Sequence, residues 1–424
     1  MFALSSTPEV VEQTPLLTND ATVLGVLALM LGWVFYTAQS KSPFWKNFYR
    51  FVPAVLLCYF LPSLLNTFGV IDGESSQLYY VASRYLLPAC LVLLTISVDL
   101  KAIARLGNKA VVLFLTGTLG IVIGGPIALL VVSGFAPELL GVSGPEAVWR
   151  GMTTVAGSWI GGSANQAAMK EIYGAGDQIF SAMVTVDVIV ANLWMAVLLI
   201  MSANASNIDK KTGADTTAIV DLKEKVEQFH AKHGRIATLS DLMIIVAIGL
   251  GVTGFAHFFA DNITPYFIEN FPGLAKFSFH SKFFWMIVFA STVGIALSFT
   301  KARELEGVGA SKVGSAFLYI LIATIGMKMD VRMILDAPIY FIIGAVWMII
   351  HASLMLIVAK MIKAPLFYMA VGSQANVGGA ASAPIVASAF HPSLAPVGVL
   401  LAVLGYTLGT YMAWLCGQIL QAIG

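Results

Sequence analysis

Charge is scarce in this sequence. Asp, Glu, Lys and Arg make up 11% of its 424 residues, while 58% are hydrophobic. A soluble domain carries about 25% charged residues. So few charges cannot cover a water-facing surface, which leaves lipid as the solvent. A basic excess is missing too: the formal net charge is +1, which excludes the cationic footprint of a nucleic-acid binder. Cys58, Cys90 and Cys416 stand far apart in apolar runs, a spacing that fits neither a disulfide framework nor a metal site. No His-Glu-x-x-His pattern and no phosphate-binding Gly-x4-Gly-Lys-Ser/Thr loop occurs. The expectation is a protein that is not an enzyme, has no organic cofactor and draws no energy from ATP. The first 20 residues hold Glu9, Glu12 and Asp20 and no Lys or Arg, unlike the basic start of a signal peptide. The run 21–37 is therefore expected as a retained first helix.

A spanning helix needs about 20 apolar residues. By that rule there are twelve segments, at 21–38, 50–69, 78–98, 110–133, 147–170, 178–201, 239–260, 282–300, 313–329, 337–359, 365–390 and 395–420. Between the sixth and seventh, residues 202–238 hold Asp209, Lys210, Lys211, Asp215, Asp221, Lys223, Glu224, Lys225, Glu227, Lys232 and Arg235. This charged linker separates a first membrane repeat, 1–201, from a second, 239–424.

Lys and Arg in short loops mark the cytoplasmic side. Lys41, Lys46 and Arg50, then Lys101, Arg105 and Lys109, place two loops inside. Asp72 with Glu74, and Glu138 with Glu146, place the loops 70–77 and 134–146 outside. In the second half, Lys301, Arg303 and Lys312, then Lys360 and Lys363, mark inside loops. The net-basic linker belongs inside as well. If all six segments of the first half crossed, however, the linker would lie outside. One segment must enter and leave on the same side, and 147–177 is the candidate. It reads Gly157-Ser-Trp-Ile-Gly-Gly-Ser-Ala-Asn-Gln at its middle. Polar, irregular backbone survives at membrane depth only when it is covered by protein or lines a cavity.

The second half repeats the pattern with Gly372-Ser-Gln-Ala-Asn-Val-Gly-Gly-Ala-Ala-Ser-Ala-Pro. Asp99-Leu-Lys-Ala-Ile is likewise echoed by Asp330-Val-Arg-Met-Ile. By the loop charges the two halves run in opposite directions, so the repeats are inverted. The expected fold is an all-α membrane protein of about ten full spans plus two hairpins, each hairpin re-entrant or a discontinuous helix. Gly-interrupted segments at matching positions are the best sequence pointer to a transport site.

Half-helix N-termini in such breaks suit an anionic group, and free carbonyls suit a hard cation. Ser158, Ser163, Asn165 and Gln166 are expected on one side of a solute site, with Ser373, Gln374, Asn376 and Ser382 on the other. Asp187 is the only carboxylate deep in an apolar span, a placement that costs about 2.5–3.5 kcal/mol on insertion scales. It is expected to hold Na⁺ or a proton, with Thr185 and Asn192 beside it, or else to pair with Arg84. His351 reads as a hydrogen-bonded neutral histidine in the tenth segment. The equivalent of Asp187 in the second half is Gly405, so the site is expected to be asymmetric.

The two glycine runs resemble those of the bacterial YjcL-like family of uncharacterised multi-pass membrane proteins, over nearly the whole chain. That family looks like a distant relative of the sodium-coupled glutamate, citrate and bile-acid symporters and of the Na⁺/H⁺ antiporters. The resemblance implies inverted repeats, a scaffold domain, a moving transport domain and a homodimer. It leaves the solute open. The paired Asp-Asp or Asn-Asp of many antiporters is absent here. The expectation is a Na⁺-coupled, alternatively H⁺-coupled, symporter of a small polar or anionic metabolite in the bacterial inner membrane. Its partners would be solute and lipid, with no nucleic acid. The alternative is a cation/proton antiporter using Asp187.

Overall fold

The computed structural model describes residues 15–52, 54–73, 75–96, 106–214, 236–329, 338–391 and 394–424. The Asp99–Lys101 and Asp330–Arg332 pairs and most of the charged linker lie outside the described residues. The described residues contain helices and no named strand. In chain order the principal helices are α1 (Asp20–Ala38), α2 (Pro43–Phe51), α3 (Ala54–Thr67), α4 (Leu78–Ile96), α5 (Asn108–Ser133), α6 (Val148–Tyr173), α7 (Asp177–Ala203) and α8 (Ala205–Thr212). After the linker come α9 (Leu239–Asn270), α10 (Lys282–Ser298), α11 (Ala310–Gly326), α12 (Pro338–Met361), α13 (Leu366–Val377), α14 (Gly379–Phe390) and α15 (Ala395–Ile423).

Seven of these are long and apolar enough to cross a membrane: α1, α4, α5, α7, α9, α12 and α15. Two more spans, α3 and α10, each join a short helix at a sharp bend, 88° between α2 and α3 and 92° between α10 and Lys301–Val308. Helix α11 is also apolar but shorter, at 17 residues. The chain is thus an all-α multi-pass membrane protein. Local chemistry sets the helix ends. Asn19 accepts the Thr22 N–H at the start of α1. Thr238 and Asp241 close a capping box on α9, satisfying two N–H groups that a helix start leaves orphaned.

The element order reads the same way twice: three spans, a fourth, a broken segment, a fifth. Packing cuts across that order. The first three spans of each half (α1, α3, α4 with α9, α10, α11) form one bundle. The fourth and fifth spans and broken segments of both halves (α5, α6, α7 with α12 to α15) form the other. In the second bundle, glycines on α5 let α12 approach. A β-carbon on Gly124 would stand 2.8 Å from the Trp347 ring, and the Trp347 indole donates to the Ile121 carbonyl at 2.9 Å.

Candidate functional site

Helix α6 is a hairpin. Its backbone leaves the helical region at Gly162, with φ 74° and ψ −177°, a region that is essentially glycine-only. Two arms then fold back on each other. A β-carbon on Gly157 would lie 2.6 Å from the Asn165 carbonyl oxygen, whereas eight residues along a straight helix span about 12 Å. The ends meet as well. Arg150 donates to the Tyr173 carbonyl, the Trp149 and Tyr173 rings pack edge to face with centroids 5.9 Å apart, and the Gly176 N–H donates to the Pro145 carbonyl at 2.8 Å. The segment enters and leaves on one face.

Helices α13 and α14 make the second hairpin, turning at Gly378 and at Gly379 with φ 59°. Gln374 donates across the turn to Ser382 at 2.7 Å, and Phe367 meets Phe390 at its base with centroids 5.4 Å apart. Asp209 in α8 accepts the Leu366 N–H at 2.8 Å, capping the first arm. Burial pushes the Asp209 carboxyl above its ordinary value, and this N–H pulls it back.

Helix α15 shows how the hairpins face each other. The base of the first lies along its C-terminal end, where Tyr173 donates to the Trp414 carbonyl at 2.6 Å. The second lies along its N-terminal end, where a β-carbon on Gly398 would sit 2.6 Å from Ala383. Both tips reach the middle. A β-carbon on Gly405 would lie 2.5 Å from the Ile160 carbonyl oxygen and 3.7 Å from that of Ala375, and one on Gly409 would lie 2.6 Å from Gly161. The hairpins therefore come from opposite ends and meet near the centre of a helix about 44 Å long. Lysines mark one end, where Lys109 donates to the Lys363 carbonyl beside the second hairpin at 3.0 Å.

Asp187 on α7 is buried at 6% exposure. The Trp159 indole donates to one carboxylate oxygen at 2.6 Å and the Gln166 amide to the other at 3.0 Å, and the Ser158 hydroxyl faces the same group. Trp159 precedes the break and Gln166 follows it, so the carboxylate ties both arms together. All these donors are neutral. Among the described residues no Lys, Arg or His pairs with Asp187. Arg84, the alternative partner, lies on the π-helical turn Ala82–Leu86 of α4 and pairs instead with Glu171 at 2.6 Å. Tyr59 of α3 donates to Gln166 at 3.4 Å, linking the first hairpin to the other bundle.

Thr185 and Asn192 are not gathered around Asp187. Thr185 bonds back to the Ser181 carbonyl at 3.1 Å and Asn192 to the Val188 carbonyl at 2.7 Å. Residues two and five positions away on a helix point about 200° and 140° from Asp187.

Asn165 and Asn376 are fully engaged. Asn165 accepts from Thr410 at 2.7 Å and donates to the Gly161 carbonyl at 2.9 Å. Asn376 accepts from Thr118 at 2.8 Å and donates to the Phe114 and Gly372 carbonyls, both at 3.0 Å. Asn376→Ala removes the acceptor of the buried Thr118 hydroxyl, which keeps only a longer 3.3 Å bond to the Phe114 carbonyl, and the loss of a buried hydrogen bond costs about 0.5–1.5 kcal/mol. A clear fall in melting temperature is expected, and an unchanged melt would show that these bonds carry no stability.

Ser373 is fully buried and lies in a closed chain. Trp194 donates to its oxygen at 2.8 Å, and His351 Nε2 lies 2.8 Å away. His351 Nδ1 meets the Gly117 carbonyl at 3.1 Å. A carbonyl only accepts, so Nδ1 carries a proton and donates to Gly117, and Nε2 and the Ser373 hydroxyl share the other bond. Trp159 and Trp347, whose rings are 5.0 Å apart, sit between this network and Asp187. Two polar atoms at the second hairpin and α15, Gln374 Oε1 and Thr407 Oγ1, are buried without a partner among the described residues. Ser163, just past the break at Gly162, is half-buried. Sequence reasoning missed Trp159, Tyr59, Thr118, Thr410 and Thr407.

The family model described as "Protein of unknown function (DUF819)" matches residues 25–423. The chain is also 22% identical over 367 residues to the "Uncharacterized membrane protein YjcL" of Bacillus subtilis (strain 168), an alignment covering 82% of this chain and 85% of that one. Matched from its first span to its last, this chain belongs to the DUF819 family of membrane proteins.

Proposed function

We propose that the protein is a secondary active transporter of the bacterial inner membrane, a Na⁺-coupled symporter of a small polar or anionic metabolite. The observation that carries this reading is the meeting of two oppositely directed hairpins at mid-helix beside a buried carboxylate that has only neutral partners. An ionised carboxylate in that position needs a counter-charge, because removing a lone charge from water costs several kcal/mol. A bound Na⁺ supplies it. The two halves, 1–201 and 239–424 around a cytoplasmic linker, act as inverted repeats. Alternating access follows if the hairpin bundle shifts against the bundle of α1, α3, α4, α9, α10 and α11. One Na⁺ entering down about 100 mV releases about 2.3 kcal/mol, enough for about fifty-fold accumulation at 1.4 kcal/mol per tenfold. The reading includes no catalytic step.

Gln374 Oε1 is assigned to the solute or its ion. Gln374→Met removes a buried oxygen that has no partner among the described residues and also the amide that donates to Ser382 at 2.7 Å. A modest loss of stability, about 0.5–1.5 kcal/mol, is therefore expected, and ligand shifts are read against the variant's own melting temperature. A ligand that binds only the folded state raises its apparent stability. The shift produced by a transported metabolite with Na⁺ should therefore vanish in Gln374→Met, and an undiminished shift would remove Gln374 from the site. The neutral shell of Asp187 also suits a group that trades an ion for a proton, the antiporter reading. Proton movement in proteoliposomes on adding Na⁺ without organic solute would favour antiport over symport.

A further inference from the structure

A recess of about 300 Å³ opens at the base of the first hairpin, a volume at the lower end of small-molecule sites. It lies between the ends of α6 and α15 in one bundle and the turn 272–281 in the other. Trp149 and Tyr173 give it aromatic walls, and among the described residues of the lining Arg150 is the one Lys or Arg and none is Asp or Glu. The guanidinium is held in place by its bond to the Tyr173 carbonyl and by stacking 4.7 Å over the Trp149 ring. Its Nε is buried and has no hydrogen-bond partner, and among the described residues no carboxylate pairs with it. The guanidinium itself is only half-buried, and its remaining N–H groups can take a carboxylate. Arg150 is also the third residue of α6, where helix N-termini favour negative charge. Ser281 and Gln421 add polar groups to the wall. The Ser281 oxygen already accepts from the Phe284 N–H at 3.2 Å, leaving its O–H to donate.

The geometry points to a binding site for a small organic carboxylate here, separate from the Asp187 network and independent of the transport reading. The anion sits on Arg150, its apolar part lies against the aromatic walls, and its occupancy bridges the two bundles. The test is a titration of the purified full-length protein with sodium benzoate and sodium succinate, read by tryptophan fluorescence. Benzamide serves as the uncharged twin and NaCl as the ionic control. Saturable binding of at least one carboxylate, absent with benzamide and NaCl, is expected. Arg150→Gln should weaken it at least tenfold. Ala275→Trp, which fills the recess from an exposed position and leaves the hairpin untouched, should abolish it. Asp187→Asn should leave it unchanged. No saturable carboxylate signal, an equal response to benzamide, wild-type affinity in Ala275→Trp, or loss of binding in Asp187→Asn would each overturn the assignment.

Discussion

Asp187→Asn is expected to abolish Na⁺-dependent uptake in proteoliposomes while the protein still folds. Asn keeps an acceptor for the Trp159 indole, which now bonds Asp187 at 2.6 Å. The Gln166 amide, which now donates to the other oxygen at 3.0 Å, must turn over to accept from the new NH2, so the first arm retains its anchor and the second can. What disappears is the negative charge, and with it the reason for a cation to settle among neutral donors. Removing one partner of a buried charge pair costs about 3–5 kcal/mol, and each 1.4 kcal/mol is tenfold. Uptake at a fixed Na⁺ gradient should therefore drop by about 100-fold or more, and the Na⁺-induced rise in melting temperature should vanish. A variant that kept its Na⁺ dependence would reduce Asp187 to a brace between the hairpin arms.

Gly405→Val is expected to have the largest effect on stability. The first added carbon would stand 2.5 Å from the Ile160 carbonyl oxygen. The obstacle is backbone at a hairpin tip, which has no rotamer to change, so either the tip is displaced or α15 bends. Overpacking a core costs about 1–3 kcal/mol, occasionally more, and a rigid neighbour puts this case at about 3 kcal/mol. Gly32→Val on α1 is the control, since a β-carbon there meets nothing within 4 Å, and its effect should stay within about 0.5 kcal/mol. Thermal unfolding of both variants in the same detergent decides the matter. Equal melting temperatures would mean that the tips do not meet at Gly405.

Much of the architecture was legible because lipid imposes simple rules. Apolar length located several spans within a few residues, as with 178–201 against Asp177–Ala203, although 239–260 stops ten residues short of the end of Leu239–Asn270. The clash between loop charge and crossing parity singled out 147–177, and the glycines there mark the turn. The site was legible only in part. Asp187 stands out because a carboxylate in an apolar run is costly. Its real partners do not, since Trp159 reads as one more apolar residue and Tyr59 lies 107 positions from the Gln166 it bonds. Thr410 and Thr118 bond asparagines 245 and 258 residues away, and pairings at such distance leave no local periodicity. Thr185 and Asn192 were grouped with Asp187 by sequence proximity where helical angle decides. Gly405, read as the counterpart of Asp187, is where both hairpin tips rest against α15.

The most direct test of two hairpins entering from opposite faces is labelling of single cysteines by a membrane-impermeant maleimide in vesicles of known orientation. The three native cysteines, all buried, are first replaced. Ser143→Cys and Gln178→Cys flank the first hairpin, and Lys363→Cys and His391→Cys flank the second. The account predicts that the first pair reacts only from outside and the second pair only from inside. Labelling of 143 and 178 from different sides would make α6 a plain span, and labelling of all four from one side would remove the opposed hairpins on which the transport reading stands.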